Sequence, residues 1–410
     1  MKDKELFKQI LGLSHPWEVS KVDLDIANEE VEIEIIYKSK KGFCPECEVE
    51  YDIYDHREKR RWRHLDTCQM KTYIVCKVPR IKCKEHGVKT IKVPWAEKSS
   101  RTTLLFERFA IELLLASKNQ SKTAQFLRIS FDMLHHIMSK AVERGLSRRT
   151  EEDIKYIGID EKSMKRGHTY VSVLSDSERR RVIDVSEGRT TSSASSLINK
   201  GLTEKQKEGL KAVSMDMWKA FIKAVQKELP NASIVHDKFH IMKYLNDGVD
   251  KTRREEARKL QKSNDKTLVK SKYLFLKNPE NMTDKQLSRF RKIQELNLIT
   301  SQAWAAKENF KEFFRSETIN DAKFFFAEWY QDIKERSLNK MIKVAKMLIA
   351  HSDGLLNYIR YQIDNSVAEW LNGKIQEIKT VGRGFRKFEN FRIAILFFLG
   401  KLDLFPQESQ

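Results

Sequence analysis

Residues 154–186 read IKYIGIDEKSMKRGHTYVSVLSDSERRRVIDVS, and this stretch decides the fold of the chain. It contains three short apolar runs, rich in β-branched residues, that are separated by polar turns. Each run is too short for a helix, so the stretch predicts three strands. Its unusual feature is Asp160, which ends the first run. A carboxylate there costs free energy unless it is paired or binds a metal ion, although a strand-end Asp is also a common cap or turn residue.

The same pattern recurs downstream. Residues 211–216, KAVSMD, form another short apolar run that ends in an acid, Asp216, and an amphipathic helix follows. A third carboxylate, Glu369, borders an apolar stripe at helical spacing in NSVAEWLNGKIQEIK. Three such acids repel one another unless divalent cations lie between them, and Mg²⁺ accepts oxygen ligands of this kind. The pattern therefore predicts a phosphoryl-transfer site.

Four segments resemble the DDE transposases of bacterial insertion sequences, specifically the ISL3 family, and the resemblance runs over nearly the whole chain. They are GIDEKSMKRGHTYVSVLSD at 158–176, VSMDMWKAFIKAVQKELPNA at 213–232, HDKFHIMKYLNDGVDKTRRE at 236–255 and GKIQEIKTVGRGFRKFENFRIAIL at 373–396. The resemblance implies a ribonuclease H-like core with Asp160, Asp216 and Glu369 as its triad and with Mg²⁺ or Mn²⁺ as cofactor. It also implies binding to terminal inverted repeats, cleavage of the DNA ends and transfer of a 3′ end to target DNA.

The charge of the chain agrees with a nucleic-acid partner. The 410 residues carry a formal net charge of +19, and the basic residues are spread from REKRRWRH at 57–64 to RGFRKF at 383–388. A basic surface of this extent favours a long DNA track over a single basic tail. The chain has no apolar run long enough for a membrane span and no signal-peptide pattern at its start, so we expect a cytoplasmic, nucleoid-associated protein.

Paired metal-ligand spacings predict a structural zinc site near the N-terminus. Cys44 and Cys47 form one pair, and Cys83 and His86 form another, each with two intervening residues. Such pairs on tight turns supply the four ligands of a tetrahedral zinc ribbon. His86 is the weakest assignment, because the second pair often consists of two cysteines in the family. Cys68 and Cys76 are expected to be packed or free thiols, and His56 and His64 are alternative ligands.

Residues 101–148 change to a helical pattern. KTAQFLRIS followed by FDMLHHIMSKAVERGL predicts a helix-turn-helix in which Ala124, Phe126 and Leu127 pack inward and Asp132 caps the second helix. The second helix of such a unit reads the major groove. An ordinary helical hairpin fits the pattern equally well, and the basic charge and the family resemblance favour DNA binding.

Two further features accompany the predicted core. Asp237 and His240 follow the apolar run NASIVH and open a helix, and we interpret them as secondary residues beside the active site rather than as catalytic ones. Residues 241–350 show helical period throughout and contain Trp304 and Trp329, each of which is either a core residue or a platform for a displaced base.

The predicted architecture is multidomain α/β: a ribonuclease H-like mixed sheet core, interrupted by an all-helical insertion, behind an N-terminal zinc ribbon and a helix-turn-helix. The predicted domains are 1–98 (strands and zinc ribbon), 99–150 (helix-turn-helix), 151–245 (first part of the core), 246–350 (helical insertion) and 351–410 (core completion). Because two DNA ends must be held together, we expect a homodimer or higher oligomer on DNA. The alternative function is a catalytically inactive DNA-binding regulator derived from a transposase, and a nuclease of another ribonuclease H-like type is a weaker option.

Overall fold

The computed structural model describes residues 3–165, 169–363 and 366–407, and its internal contacts divide the chain into two units. The first unit comprises Met1–Arg149 together with Leu402–Gln410, and the second comprises Thr150–Lys401. Each unit has hydrophobic clusters of its own, and each is described separately below.

The first unit begins with a strand-rich half and ends with three helices. Its elements are α1 (Asp3–Ile10), β1 (Trp17–Asp25), β2 (Glu30–Tyr37), β3 (Lys41–Phe43), β4 (Glu50–His56), β5 (Arg60–Thr67), β6 (Met70–Cys76), β7 (Pro79–Cys83), β8 (Gly87–Thr90), α2 (Leu104–Ser117), α3 (Gln120–Phe126) and α4 (Phe131–Ser147).

Two four-stranded sheets make up the strand-rich half, with the orders β1-β2-β6-β5 and β3-β4-β7-β8. In β2 the alternation of apolar and acidic residues buries Val31, Ile33 and Ile35 and leaves the intervening glutamates at the surface, which is the period of a half-buried strand. Trp17, Trp62 and Trp95 meet edge to face in the core beneath this sheet, so aromatic packing joins the first strand to the segment that leads into α2.

Helices α2, α3 and α4 pack against one another, and their ends are capped by side chains. The Asn119 side chain accepts a hydrogen bond from the backbone N–H of Lys122 at the start of α3, and the Ser130 hydroxyl accepts one from Met133 at the start of α4. Ser130, and not the predicted Asp132, is therefore the cap of α4, because Asp132 already lies in its first turn. Arg128, in the turn between α3 and α4, adopts a left-handed backbone conformation.

The end of the chain belongs to the first unit. Leu404 is buried there, its carbonyl accepts a hydrogen bond from Arg144 Nη1 at 2.6 Å, and the Phe405 carbonyl accepts one from Arg148 Nη1 at 2.6 Å. The Arg144 guanidinium also pairs with the buried Glu107 carboxylate, so the negative charge of Glu107 compensates the buried positive charge of Arg144. The C-terminal segment thus covers one end of α4.

The second unit begins with three consecutive strands, continues with helices and two further strands, and ends with helices alone. Its elements are β9 (Tyr156–Lys165), β10 (Thr169–Asp176), β11 (Arg181–Glu187), α5 (Thr191–Gly201), α6 (Glu204–Gly209), β12 (Ala212–Met215), α7 (Lys219–Glu228), β13 (Ser233–His236), α8 (Lys238–Lys262), α9 (Lys272–Leu276), α10 (Asp284–Glu295), α11 (Ile299–Asn309), α12 (Ile319–Glu335), α13 (Asn339–Ile349), α14 (Ser352–Tyr361), α15 (Ser366–Val381) and α16 (Phe388–Leu399). Two short 3₁₀ helices span Pro279–Asn281 and Phe310–Arg315.

One five-stranded mixed sheet, ordered β11-β10-β9-β12-β13, forms the centre of this unit. The pairs β11–β10 and β10–β9 are antiparallel, whereas β12 runs parallel to both β9 and β13. Gly158 allows a close approach between β9 and β10, because a Cβ at this position would lie 2.8 Å from Ser175 Oγ. The three strands predicted from residues 154–186 are β9, β10 and β11.

Helices cover both faces of the sheet. On one face, α5 and α7 pack on Ile157 and Ile159 of β9 and on apolar residues of β10, β11 and β12. Side chains alternate along a strand, so Tyr156 and Asp160 point to the opposite face. On that face Tyr156 packs with Tyr361 of α14, and α15 contacts β9. The acid at position 160 therefore faces the C-terminal helices of the chain.

Helices α8 to α14 share a large hydrophobic cluster that is rich in phenylalanine. Trp329 is only 2% exposed within it, and its Nε1–H donates to the Ala306 carbonyl at 2.8 Å. Trp329 is therefore a core residue with a satisfied ring nitrogen, and it offers no face to a DNA base. Trp304 is half-buried and packs edge to face on Phe290.

Among the helices of the described residues, none has both the length and the apolar character that a membrane crossing requires.

Candidate active site and DNA-binding elements

Asp160 and Asp216 lie at neighbouring positions on adjacent parallel strands. Ile159 of β9 pairs with Met215 of β12, and the next residue on each segment is the acid. Asp216 directly follows the end of β12. Asp160, by contrast, is not at a strand end as predicted, because pairing with β10 continues β9 to Lys165. What ends just before Asp160 is the pairing with β12.

Hydrogen bonds fix both oxygens of the Asp160 carboxylate. Oδ1 accepts from the backbone N–H of Glu161 at 2.7 Å, and Oδ2 accepts from Asn372 Nδ2 of α15. Burial raises the pKa of Asp160 above its ordinary value, against the opposing effects of these two hydrogen bonds and of the nearby His240. The carboxylate is thus held in a partly desolvated position where a cation would stabilise its charge.

His240 links Asp216 to the next acid along the sheet. β13 pairs with β12 so that His236 lies opposite Met215, and Asp237 therefore follows β13 at the level of Asp216. His240 Nδ1 lies 3.3 Å from Asp216 Oδ2, and its Nε2 lies 3.8 Å from Asp237 Oδ2. Asp237 is buried and also caps α8 by accepting from the N–H of Phe239 at 3.0 Å. Asp160, Asp216 and Asp237 thus follow one edge of the sheet, which we call the acid edge.

Glu369 lies in the first turn of α15 and is exposed. Asn372 follows three residues later, which places the two side chains on the same face of the helix, one turn apart. The hydrogen bond from Asn372 to Asp160 therefore brings this face of α15 to the acid edge. Among the described residues, one group of possible metal ligands brings three or more ligand atoms within 4.8 Å of one another, and it is the cysteine cluster described below, which does not include the three predicted acids.

The alternatives to Glu369 have other surroundings. Glu161 pairs with Arg189 at 3.1 Å, and it lies on the face of β9 opposite to Asp160. Glu377 is exposed and pairs with Lys374 at 2.8 Å. Asp364 lies outside the described residues.

The predicted zinc ligands Cys44, Cys47, Cys83 and His86 come together in the first unit. Their ligand atoms all lie within 4.8 Å of one another: Cys47 Sγ is 3.7 Å from Cys83 Sγ, and Cys83 Sγ is 3.4 Å from His86 Nδ1. Each pair sits on a tight turn in which one residue, Glu48 or Gly87, takes a left-handed conformation. The four zinc ligands predicted from the sequence therefore lie close together in the structure.

The surroundings of the cluster favour metal ligation. Burial alone would raise the pKa of Cys83, but hydrogen bonds with Tyr51 and with the backbone of His86 and Glu85 outweigh it and lower this pKa to about 6. A low thiol pKa favours the thiolate, which is the form that binds zinc. On the far side of the imidazole, His86 Nε2 lies 3.7 Å from Glu46, in the arrangement that orients histidine ligands.

The remaining cysteines and histidines are outside this cluster. Cys68 is exposed, and Cys76 is a buried thiol whose pKa burial raises to about 12. His64 is buried at 2.9 Å from the Thr103 hydroxyl, and burial lowers its pKa to about 4. His56 is exposed at the end of β4.

The two helices α3 and α4 and the turn between them form the predicted helix-turn-helix. Ala124 and Leu127 are buried as predicted, but Phe126 is 69% exposed, so its predicted inward packing is wrong. The turn redirects the chain directly after Phe126. At the start of α4, Phe131, Asp132 and His136 are exposed, and these are the positions from which a recognition helix contacts bases.

Three family models match the chain in the order of these elements. A helix-turn-helix domain of the transposase family ISL3 matches residues 91–142, and a zinc-finger of the transposases IS204, IS1001, IS1096 and IS1165 matches residues 40–86. The ISL3 transposase model itself matches residues 157–395, which is more than half of the chain. The chain belongs to the ISL3 family of transposases.

Curated relatives agree with this assignment. The transposase for insertion sequence element IS1001 of Bordetella parapertussis is 23% identical over 87% of this chain and 88% of that protein. The transposase for IS1557 of Mycobacterium tuberculosis is 22% identical over 94% of this chain and 93% of its own length. The family resemblance read from the four sequence segments is thereby confirmed, and the protein is a DNA transposase with a zinc-ribbon domain and a DNA-binding helix-turn-helix.

Several residues around the acid edge of this transposase were missed from sequence. Asn372 had a usable signal, because it lies one turn after Glu369 on the same helix face. Trp218 had a weaker sequence signal, since it follows Asp216 by two residues. Arg189 had none, because it lies in a loop and its partners are distant in sequence. Contacts of this second kind follow from strand pairing, which a single sequence does not specify.

Proposed function

We propose that the five-stranded sheet is a ribonuclease H-like core in which Asp160, Asp216 and Glu369 hold divalent cations, Mg²⁺ or Mn²⁺, for cleavage and strand transfer at the ends of the insertion sequence. The observation that carries the proposal is the pair Asp160 and Asp216, which lie side by side where two parallel strands stop pairing. Family membership supplies the reaction class, and the acid edge supplies a place for it.

The donor set fits hard divalent cations. Carboxylate oxygens are the ligands that Mg²⁺ prefers, and burial of the Asp160 carboxylate raises its pKa. Asp160 and Asp216 would hold the cation, which would supply polarisation of the phosphate and a lowered pKa for the attacking water or hydroxyl. Glu369 then completes the set from α15. The hydrogen bond between Asn372 and Asp160 supports this docking of the helix.

The residues of this chain have separate parts in the proposed site. Asp160 and Asp216 would hold the cations that orient the reacting phosphate. Asp237 and His240 are positioning residues, because His240 lies between the carboxylates of Asp237 and Asp216 and limits how Asp216 turns. Tyr244, whose hydroxyl lies 3.5 Å from Asp216 Oδ1, restrains the same carboxylate from α8.

The helices between β13 and α15 are, in this proposal, an insertion that interrupts the core between its second and third acids. These helices run from Lys238 to Tyr361, they include the predicted segment 246–350, and they share one hydrophobic cluster. The sheet order β11-β10-β9-β12-β13, with α15 returning beside β9, supports the assignment of the core.

The first unit is proposed to bind the terminal inverted repeats. Cys44, Cys47, Cys83 and His86 hold one structural Zn²⁺ that fixes the ribbon, and the exposed first turn of α4 reads bases in the major groove. Because two ends must be cut together, at least two copies of the protein assemble on DNA.

The test is cleavage by carboxamide variants of the full-length protein. Asp160→Asn, Asp216→Asn and Glu369→Gln keep the shape of each side chain and remove its charge, so each is expected to reduce cleavage and strand transfer by about a thousandfold or more, which is about 4 kcal/mol of transition-state stabilisation. The substrate is a labelled duplex that carries the terminal inverted repeat, incubated with Mg²⁺. Glu377→Gln, an exposed acid on the same helix as Glu369, is the matched control and should cut normally.

Binding to the same duplex should be retained in all four variants, which separates loss of catalysis from loss of folding. Near wild-type cutting by Glu369→Gln would reassign the third ligand. Near wild-type cutting by Asp160→Asn would remove the ribonuclease H-like mechanism. A wild-type protein that binds ends and never cuts them would point to the inactive regulator instead.

A further inference from the structure

The chain crosses between the two units twice. It passes from the first unit to the second between Arg149 and Thr150, and it returns between Lys401 and Leu402, shortly after α16 ends. The segment 402–405, LDLF, therefore belongs to the first unit, although α16 belongs to the second. The second unit is thus joined to the first by two covalent connections instead of one.

In the first unit, one arginine holds both connections. Arg148 is the C-cap of α4 and lies just before the first crossing. Its Nη1 pairs with the Asp403 carboxylate at 3.1 Å and donates to the Phe405 carbonyl at 2.6 Å, and both partners follow the second crossing. The returning segment also packs against Gly145 of α4, where a Cβ would lie 2.5 Å from Leu402 Cβ. The segment is therefore fixed to the helix that is proposed to read bases.

In the second unit, Arg179 has the matching role. This residue lies in the turn between β10 and β11; its Nη1 donates to the Asp153 carbonyl at 3.0 Å, and its own carbonyl accepts from Lys401 Nζ at 2.7 Å. Asp153 lies just after the first crossing, and Lys401 lies just before the second. Lys401 also adopts a left-handed backbone conformation, with a φ of 48°, in the way that helices commonly end. One arginine on each side of the crossing therefore holds both connections.

We propose that this double connection, residues 148–153 and 401–405, fixes the distance between the base sequence that α4 reads and the phosphodiester bond that is cut. The proposal rests on the functions proposed above for the acid edge and for the first unit. Two crossings that are held together restrict the rotation that a single backbone connection would allow. Arg148 and Arg179 are positioning residues in this device, because they act through the connection and not on the reacting phosphate.

The dimensions of the chain and of DNA explain why a single connection would not be enough. A flexible stretch of four residues, the number between Arg149 and Ile154, has a root-mean-square span of about 10–12 Å. Neighbouring phosphates on one DNA strand are about 3.4 Å apart along the helix axis. A single flexible connection would therefore leave the position of the cut undefined by about three nucleotides, whereas two connections held on both sides can restrict it to one.

The first experiment maps the cut at single-nucleotide resolution, with full-length protein and the labelled end duplex in Mg²⁺. One variant replaces residues 402–405 by Gly-Ser-Gly-Ser, which keeps the length of the segment and removes its side-chain contacts. A second variant, Arg179→Ala, releases the connection from the other side and leaves the first unit as it is. Wild type should cut at one position, and both variants should spread their cuts over about three positions while they bind the duplex like wild type.

Arg180→Asn is the matched control for Arg179→Ala. Arg180 is exposed in the same turn, and the substitution removes the same charge. Asparagine also tolerates the left-handed backbone of this position. The control should cut at the wild-type position, which separates the role of the Arg179 contacts from a general effect of positive charge on DNA binding.

The second experiment determines which feature of the DNA sets the position of the cut. One or two base pairs are inserted between the block that the protein protects in footprinting and the natural cleavage position. Wild type should still cut at the same number of nucleotides from the protected block, so the cut should move relative to the terminal sequence. The unfolding temperatures of the variants are compared as a check on folding.

Two outcomes would overturn the positioning role: a single, unchanged cleavage position in both released variants, or a wild-type cut that stays at the terminal sequence when base pairs are inserted. The insertion measurement needs only the wild-type protein, so it decides the matter even if the variants fail to fold. Failure of the positioning role is distinguishable from failure of the proposed mechanism, because Asp160→Asn would still abolish cutting in the first case and would cut normally in the second. A wild-type protein that never cuts would remove both proposals.

Discussion

The cysteine cluster and the acid edge differ in how completely the folded chain assembles them. In the cluster, Cys44, Cys47, Cys83 and His86 already lie within 4.8 Å of one another. At the acid edge, Asp160 and Asp216 are aligned by strand pairing, whereas Glu369 is exposed on α15. The contrast separates a site assembled by local turns from one assembled by tertiary packing.

The two sites differ because their residues are connected differently along the chain and carry different charges. Each cysteine-cluster pair is set by a single tight turn, so its two ligands meet through the local geometry of the chain. The three acids of the proposed site come from two strands and a helix that are far apart in the sequence. Burial raises the pKa of Asp160, and in the proposed site a bound cation would offset the cost of that buried charge.

The largest effect that would test this contrast is the loss of zinc. Replacing both Cys44 and Cys83 by serine removes one ligand from each pair, and zinc binding contributes about 10–16 kcal/mol in zinc-finger peptides. We expect the double variant to lose its equivalent of zinc and the strand-rich half of the first unit to lose its cooperative unfolding. Metal analysis of the purified protein and thermal unfolding followed by circular dichroism measure the two effects.

Cys68→Ser is the matched control for this experiment, because Cys68 is exposed and lies outside the cluster. It should retain the metal and the unfolding transition. A full equivalent of zinc in the double variant would show that the four residues do not form the site.

The two regions also show how much of a site can be predicted from a single sequence. The ligand set of the cluster was predictable residue by residue, because the spacing between paired ligands encodes a local turn. Asp160 and Asp216 were predictable as acids that follow apolar runs, but the continuation of β9 beyond Asp160 was not, because it depends on pairing with β10. Phe126 was predicted to be buried because it is apolar, yet the turn after α3 exposes it.

A smaller expected effect tests the role of α15 at the acid edge. Asn372 donates to Asp160 Oδ2, so Asn372→Ala should loosen both the carboxylate and the docking of the helix that carries Glu369. Residues that orient metal ligands typically contribute about 10–100-fold to metal affinity. We therefore expect the Mg²⁺ concentration for half-maximal cleavage to rise by about that factor, with less change in the rate at saturating Mg²⁺.

Gln376→Ala provides the control for Asn372. Gln376 lies one turn further along α15 and is exposed, so its loss should leave the Mg²⁺ dependence as in the wild type. If Asn372→Ala also titrates like the wild type, the contact with Asp160 does not position the metal site, and α15 must be held by other contacts.

The smallest effect is a gain of stability at the acid edge. Burial is the main reason that the pKa of Asp160 is raised in the folded protein. A carboxyl group with a raised folded-state pKa favours folding below its unfolded-state pKa, and this contribution is lost as the pH rises through the folded-state value. At neutral pH in magnesium-free buffer, with zinc bound, Asp160→Asn should therefore stabilise the second unit, by about 1 kcal/mol, the usual size of a single-substitution effect.

Denaturant unfolding at neutral pH, and again below the ordinary titration range of aspartate, measures this difference. The gain should be present at neutral pH and should disappear at low pH, where Asp160 is protonated in both states. Saturating Mg²⁺ should reverse the order of the two proteins, because a ligand stabilises the form that binds it. Asp153→Asn, at an exposed position, should show neither effect. A lower stability of metal-free Asp160→Asn would mean that the hydrogen bonds of the Asp160 carboxylate outweigh the burial of its charge, and the contrast between a buried acid that lacks its cation and a preassembled cysteine cluster would then fail.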